Sequence, residues 1–423
     1  MMRLRPLFLA ALCAPLLAAA QTPAPEADYP EQDPPGRVAR LSYISGDVTF
    51  QSGAADAIEA ATLNLPVTTG DRVMTGAAAR SELTFGVAAV RLDAHTDLTV
   101  ANLDDELAQL EVNSGTIAVH VRELMSGQSV QIDAPNATVE LLEPGDYRVE
   151  VDANGDLYVD VRSGRAEIDS GNYREQLRGG EQGWLAAGDD RPEIRSLGRE
   201  DDFDRWAQER ERQLGGAETT RYVSREVVGY EDLDDHGDWR TVTEYGAVWY
   251  PRVDAGWAPY RYGRWVWVSP WGWTWIDRSP WGFAPFHYGR WAYLHSRWCW
   301  VPGPRHYRPV YAPALVGWVG DPWGGGISLS ISTQPIGWFP LGPREVYVPY
   351  RRVSPRYLRS VNVSNTVIVN NTYITNVARN RVNNIRYVNR DAPNAVTRAP
   401  RHEFDSRRPG ADRQWTARRG NDA

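Results

Sequence analysis

The chain has 423 residues, 42% hydrophobic and 24% charged, with 18 Trp and 20 Tyr against 8 Phe and a net charge of -8. That length predicts two or three domains with a substantial core. All 46 basic residues are Arg and none is Lys, which excludes a P-loop, a pyridoxal Schiff base and the Ser-x-x-Lys hydrolase centre.

Residues 1–20 read as a secretory signal. Arg3 and Arg5 form the charged start, Pro6 to Leu17 an apolar stretch, and Ala18 with Ala20 the small-x-small cleavage pattern. A lipid anchor on Cys13 is disfavoured by the bulky Leu12 before it. The expectation is a mature chain from Gln21, periplasmic or secreted. No later stretch reaches about 18 apolar residues, so no membrane span is expected. Cleavage removes Cys13 and leaves Cys299 alone, so packing rather than a disulfide must supply stability. Residues 21–36 are Pro- and acid-rich and read as a linker.

Residues 37–199 carry 27 Asp/Glu and 14 Arg, a net of -13. Short runs alternate at period two: Ile117-x-Val119-x-Val121, Val130-x-Ile132, Val139-x-Leu141, Tyr147-x-Val149-x-Val151 and Leu157-x-Val159-x-Val161. Alternation of this kind predicts half-buried strands. Ser45-Gly46, Ser114-Gly115, Ser126-Gly127, Asn154-Gly155 and Ser163-Gly164 read as turns between them. Val112 to Ile117 and Val161 to Ala166 echo each other as strand, tight turn, strand. The result is a β-sandwich, jelly roll or short β-solenoid.

Residues 200–238 link two halves. Asp201 and Asp202 open a helix with Phe203 and Trp206 on one side and Arg210 and Arg212 near its end. Gly215-Gly216 stops it.

Residues 239–345 hold 15 of the 18 Trp. A repeat appears at an offset of 26: Gly256-Trp257-Ala258-Pro259-Tyr260-Arg261-Tyr262-Gly263-Arg264-Trp265 and Gly282-Phe283-Ala284-Pro285-Phe286-His287-Tyr288-Gly289-Arg290-Trp291, identical at seven of ten positions. Each copy leads into a hairpin, the first with a strand from Arg264 to Val268, a turn from Ser269 to Gly272 and a return from Trp273 to Ile276. Such a unit needs its neighbours to bury its rings. Residues 346–423 are Asn- and Arg-rich, with an edge strand expected within 361–377 and disorder beyond. From Leu341 onward the net charge is +10.

Leu65-Pro66-Val67, Gly70-Asp71-Arg72-Val73-Met74-Thr75, Ser81-Glu82-Leu83-Thr84-Phe85 and the stretch from Leu110 to Val121 make residues 37–199 resemble the FecR periplasmic domain family. Where relatives have an Arg-Gly-Thr turn, this chain has Glu143-Pro144-Gly145-Asp146-Tyr147. The family's regulators carry a cytoplasmic anti-sigma segment and a membrane helix ahead of the domain. A signal-like segment stands there instead, so the resemblance implies the module and not transmembrane signalling. The second half resembles a Trp-rich bacterial domain of unknown function often found behind FecR domains. The carrying residues are Tyr230-Glu231-Asp232-Leu233, the stretch from Trp257 to Tyr288, and Gly337-Trp338-Phe339-Pro340-Leu341-Gly342-Pro343. That family implies no activity.

No reaction centre stands out. Gly326-Ile327-Ser328-Leu329-Ser330 lacks the last Gly of a nucleophile elbow and alternates like a strand. His287, His295, Cys299 and His306 are candidate metal ligands, but their spacing fits no zinc or copper pattern, and their repeat partners Arg261, Ser269 and Thr274 form no ligand set. An EF-hand from Asp232 puts Thr243 where a bidentate acid is needed, so the acids there read as a solvated loop. No motif selects a glycosidase carboxylate pair. Trp faces stack on sugars and peptides. Most of the rings are expected in the core, with Trp271, Trp281 and Trp323, beside Pro and Gly, as exposed binding candidates. The Arg-rich tail suits anionic envelope polymers, lipid headgroups or the chain's own acidic domain, and no nucleic acid is expected.

The sequence thus predicts a mainly β, non-catalytic envelope binding or scaffolding protein without cofactor. Its expected partner is a cell-wall polymer or another envelope protein. The alternatives are a glycan-active or metal-dependent enzyme, and an envelope-stress signalling accessory acting through the FecR-like domain.

Overall fold

The structure is a computed structural model that describes residues 32–400 except 87, 216–217, 320–335, 368–369, 380 and 383–384. The signal-like segment, Cys13, Trp323 and residues 326–330 therefore lie outside the described residues. The fold is mainly β, as expected.

Seventeen strands between Ala39 and Ser196 build two sheets that share one strand. In spatial order the first holds Pro66–Val67, Ala39–Ser45, Arg80–Phe85, Ala88–Leu92, Leu107–Val121, Gly145–Val151, Leu157–Ser163, Glu181–Leu185 and Glu193–Ser196. The second holds Ile58–Ala60, Val48–Gln51, Arg72–Thr75, Asp97–Leu103, Leu107–Val121, Ser129–Ala134, Ala137–Leu141, Arg165–Asp169 and Arg174–Arg178. The alternating residues fill the space between the sheets: Ile117, Val119, Val130, Ile132, Val139, Val149, Val159 and Val161 are all buried. Burial of one face per strand fixes the register of each pairing, since a one-residue slip would turn every apolar side chain outward.

Two of the Ser-Gly pairs do something other than reverse the chain. Ser114-Gly115 lies inside the continuous strand Leu107–Val121, where the chain leaves the second sheet for the first. Gly115 has φ +90°, and a Cβ there would lie 2.5 Å from Thr96 Cα, so only glycine makes this corner. Ser163-Gly164 marks the reverse passage, from Leu157–Ser163 in the first sheet to Arg165–Asp169 in the second. The sequence echo is thus a repeated sheet-switching corner.

The helix Asp202–Gly215 forms where its charge pattern predicts, with Asp202 and Asp204 in the first turn and Arg212 in the last. It lies on the outer face of the first sheet. Buried Glu82 there meets Arg91 Nε at 2.8 Å and Arg210 Nη2 at 2.8 Å. Glu211 meets Arg91 at 2.9 Å and Arg122 at 3.0 Å. Three of these carboxylate–guanidinium contacts join the helix to the sheet and hold it as a strut, not as a loose tether.

The aromatic module has a four-stranded sheet, Gly237–Val242, Gly246–Pro251, Arg297–Val301 and Arg290–Leu294, and the hairpin Gly263–Val268 with Gly272–Asp277. A three-stranded sheet joins Val316–Val319, Ile336–Pro340 and Thr397–Ala399. The repeat motif has a physical basis in its Gly-Arg-Trp end. A Cβ on Gly263 would lie 2.5 Å from the Trp275 ring, and one on Gly289 would lie 2.5 Å from Trp300 Nε1. In both copies an indole from the return strand lies against the glycine. Cross-strand pairing also brings Trp265 to Trp275 and Trp267 to Trp273, with centroids 5.4 and 5.6 Å apart.

The expectations for the tail need correction. Pro355–Val363 and Asn371–Ala378 are helices, in place of the edge strand expected within 361–377. Thr397–Ala399 is a strand in a sheet, not part of a disordered end. The asparagines are packing groups. Asn362 donates to Tyr347 O at 2.8 Å and accepts from Tyr347 N at 2.7 Å, Asn365 accepts from Gly289 N at 2.9 Å, and Asn389 donates to Trp291 O at 2.7 Å. Nor is the acidic stretch near 232 simply solvated: Asp232 pairs with Arg40, and Asp234 accepts from Thr219 N at 3.1 Å.

The two modules meet on Arg40, which is 2% exposed. Its Nε donates to Asn64 Oδ1 at 3.0 Å, its Nη2 to Pro280 O at 2.8 Å, and its Nη1 lies 2.5 Å from Asp232. Asn64 then donates to Asp277 O at 3.1 Å and Ser279 O at 2.8 Å. Replacing Arg40 with Met should destabilise the protein by about 3 kcal/mol, since it strands buried acceptors, and should split one thermal transition into two. A single unshifted transition by calorimetry would refute this. At the same junction Glu231 lies 3.7 Å from Arg122, yet burial outweighs that pairing and pushes the carboxyl up to about 7. A carboxyl raised on folding favours the folded state at low pH. The advantage is lost as pH rises from about 4.5 to about 7, by roughly 3 kcal/mol. Melting temperature should therefore fall across that window, and Glu231→Gln should flatten the fall; an equal slope in the variant would rule this out.

Candidate functional site

Between the modules lies a cleft of about 1080 Å³, large for a ligand site. One wall comes from the N-terminal module: Ser52 to Ala55, Ala57, Glu59, Ala60 and the turns at Thr68 to Asp71 and Asn102 to Glu106. The other is the run Arg264 to Pro270, and Arg308, Arg356 and Tyr357 close one side. Arg264 reaches across to Thr62 Oγ1 at 2.7 Å, and Arg308 Nη2 donates to Asp105 O at 2.7 Å.

Two of the cleft's carboxylates, Asp71 and Asp104, brace its own loops. Asp71 accepts from Gly53 N at 3.0 Å and Thr68 N at 2.8 Å. Burial pushes its pKa up to about 6 against those amides. Asp104 accepts from Glu106 N and Leu107 N, both at 2.8 Å. Burial opposes its charge, but the Asn102 amide and these backbone amides outweigh it and hold the carboxyl below its ordinary range. Such groups shape a wall.

The aromatic face of the cleft is Trp267, 37% exposed, with Trp273 and Tyr350 set edge-to-face at 5.6 and 5.4 Å. The expected binding residues lie elsewhere. Trp271 and Trp281 are 3% and 4% exposed and present no ring face to solvent. Trp271 sits in a turn, but its ring folds back onto Tyr311 at 5.1 Å. Trp281 packs on Trp249 at 5.0 Å and Trp257 at 5.7 Å. Trp323 lies outside the described residues. What marks Trp267 is its place in the indole pair next to the hairpin turn, the end that the module leaves uncovered.

The candidate metal ligands do not converge, and among the described residues no group of three or more His, Cys, Asp or Glu is placed to hold a metal ion. His287 is fully buried, its Nδ1 2.8 Å from Ala312 O, and burial lowers its pKa to about 3. His295 is at the tip of the hairpin from Arg290–Leu294 to Arg297–Val301. There His295 and Ser296 both have positive φ, 49° and 62°, the geometry of a type I′ turn. His306 is exposed beside Tyr307. Cys299 is buried, and burial pushes its thiol up to about 12, so it is an inert packing group.

Residues 230–345 match a family of unknown function (DUF6600). No curated protein matches the chain. Among solved structures, the chain is similar to a "putative anti-sigma factor" from Parabacteroides distasonis ATCC 8503, in crystal structures at 1.65 and 2.50 Å resolution. Each match has a TM-score of 0.27 and 16% identity, and covers 30% of this chain and 59% of that one.

Trp271→Ala and Trp281→Ala should each cost about 3–5 kcal/mol of stability, read by denaturant unfolding, whereas Trp267→Ala should cost less than about 1.5 kcal/mol. Equal losses at all three positions would show that Trp267 is core.

Proposed function

We propose that the protein is an exported, non-catalytic binding or scaffolding protein of the cell envelope, and that its ligand sits in the cleft between the modules. The cleft itself carries the reading: it is large, it is walled by both modules, and Asp71 and Asp104 in its wall are held in internal hydrogen bonds. The signal-like start at residues 1–20 supports release into the periplasm or the medium. The FecR-like motifs of residues 37–199 support an envelope role for the N-terminal module.

Blocking the cleft tests the reading. Ala57→Trp with Ala60→Trp adds bulk on the N-terminal wall. The full chain should co-sediment with purified peptidoglycan sacculi or with protein-bearing envelope fragments, and the double variant should be retained at least tenfold less. Equal retention of both would overturn the cleft as the site. Absence of retention on either material would overturn envelope binding.

A further inference from the structure

Five consecutive residues of one strand, Arg264 to Val268, line the cleft. Side chains of a strand alternate between its faces, so a cavity lined by every residue in turn is facing the strand's edge. The hydrogen-bond parity shows which groups that edge offers. Trp275 N donates outward to Pro313 O at 3.0 Å, and Arg278 N donates across to Tyr262 O at 3.0 Å. In an antiparallel ladder the pairs that exchange hydrogen bonds alternate with pairs whose N–H and C=O point away from each other. The Trp265–Trp275 and Trp267–Trp273 pairs are therefore of the second kind, and the N–H and C=O of Trp267 point off the open edge. Among the described residues they meet no backbone partner.

The facing wall has the same property. Ile58–Ala60 is the edge strand of the second sheet. Ala61 N donates inward to Val48 O at 2.9 Å, so by the same alternation Ala60, paired with Thr49, turns its N–H and C=O outward. Two open strand edges from different modules thus border one cavity.

We infer that the cleft receives an extended polypeptide from a protein partner, added as a strand along the edge at Trp267. This rests on the cleft reading above and names its ligand class. A main chain supplies donors and acceptors at the strand repeat of about 3.4 Å, which matches the outward amide and carbonyl of Trp267. Val266, Val268 and Trp267 favour small or apolar side chains on the guest. The N-terminal wall belongs to a region of net charge -13 and carries exposed Glu106 on its rim, which favours Arg or Lys at the guest's ends.

Proline separates the two contributions at one position. Because the Trp267 N–H makes no bond to the paired strand, Trp267→Pro removes it without breaking the ladder, whereas Trp267→Ala removes the ring and keeps the N–H. The probes are linear dodecapeptides selected from a random display library on the full chain and competed with chitopentaose. Peptides with basic ends should be recovered whose binding is abolished by Ala57→Trp with Ala60→Trp and survives the sugar. Trp267→Pro should bind them at least tenfold more weakly than Trp267→Ala. Hydrogen exchange of the wild-type Trp267 amide should slow at least tenfold in the complex, a readout that does not depend on how well the proline variant folds. An unprotected Trp267 amide, or recovery only of peptides that ignore the cleft block, overturns strand addition. If the cleft block still abolishes retention on envelope material in that case, the cleft reading stands with a ligand that is not a peptide strand.

Discussion

A guanidinium without water must find an acceptor for each of its donor edges and an opposite charge, and Arg40 finds them in three segments of chain. Asn64 belongs to its own module, while Pro280 and Asp232 belong to the other. Satisfying one side chain therefore fixes how the sandwich faces the aromatic module, and with it the width of the cleft. Desolvating a charge makes partial satisfaction expensive, so the junction tolerates little sliding. The strut helix repeats the principle on a neighbouring face, where Glu82 and Glu211 each sit between arginines from different elements. A chain without lysine suits this use, because the planar fork of Arg serves several acceptors at once.

The two repeat copies share a local plan and differ in what they hold. Both set a glycine under an indole. Their arginines then diverge: Arg264 reaches Thr62 of the N-terminal module, whereas buried Arg290 donates to Glu345 O at 3.1 Å and Asn362 Oδ1 at 3.3 Å. One copy faces the sandwich and the cleft, and the other anchors the C-terminal helices. Burial lowers Arg290 to about 10, still a cation at neutral pH.

Much of the sandwich was legible because each strand buries one face, which writes period two into the sequence. The strut helix and both hairpins were legible for similar local reasons. The Ser-Gly corners were seen but misread, since a positive-φ glycine serves a bend between sheets as well as a reversal. The C-terminal helices were missed because the Asn-, Val- and Thr-rich stretch 361–377, with Val367, Val369 and Ile374 alternating, read as strand. Yet Ser354 before Pro355, and Asn370 before Asn371, are helix caps present in the sequence, and both side chains accept from backbone amides of the first turn. The cleft was illegible for a different reason. Its walls come together through Arg40 and Asn64, which look like any other polar residues in an alternating strand or loop, and the edge of a strand leaves no mark on its side-chain pattern.

The segment ahead of the first strand is tied to the far end of the chain. Asp33 accepts from Ser354 N at 2.8 Å across 321 residues, and Val38 is buried in the aromatic core. Synthesis at about 5–20 residues per second separates those partners by roughly 15–60 s. Asp33 and Val38 must wait that long for the surface they rest on. The sandwich can form early, but its amino-terminal flank and the completed aromatic core must wait until Ser354 and Ala399 have been made. A molecule cut short before Ser354 would thus betray itself at both ends, with an unanchored start and a stack of exposed indoles for proteases and chaperones to find.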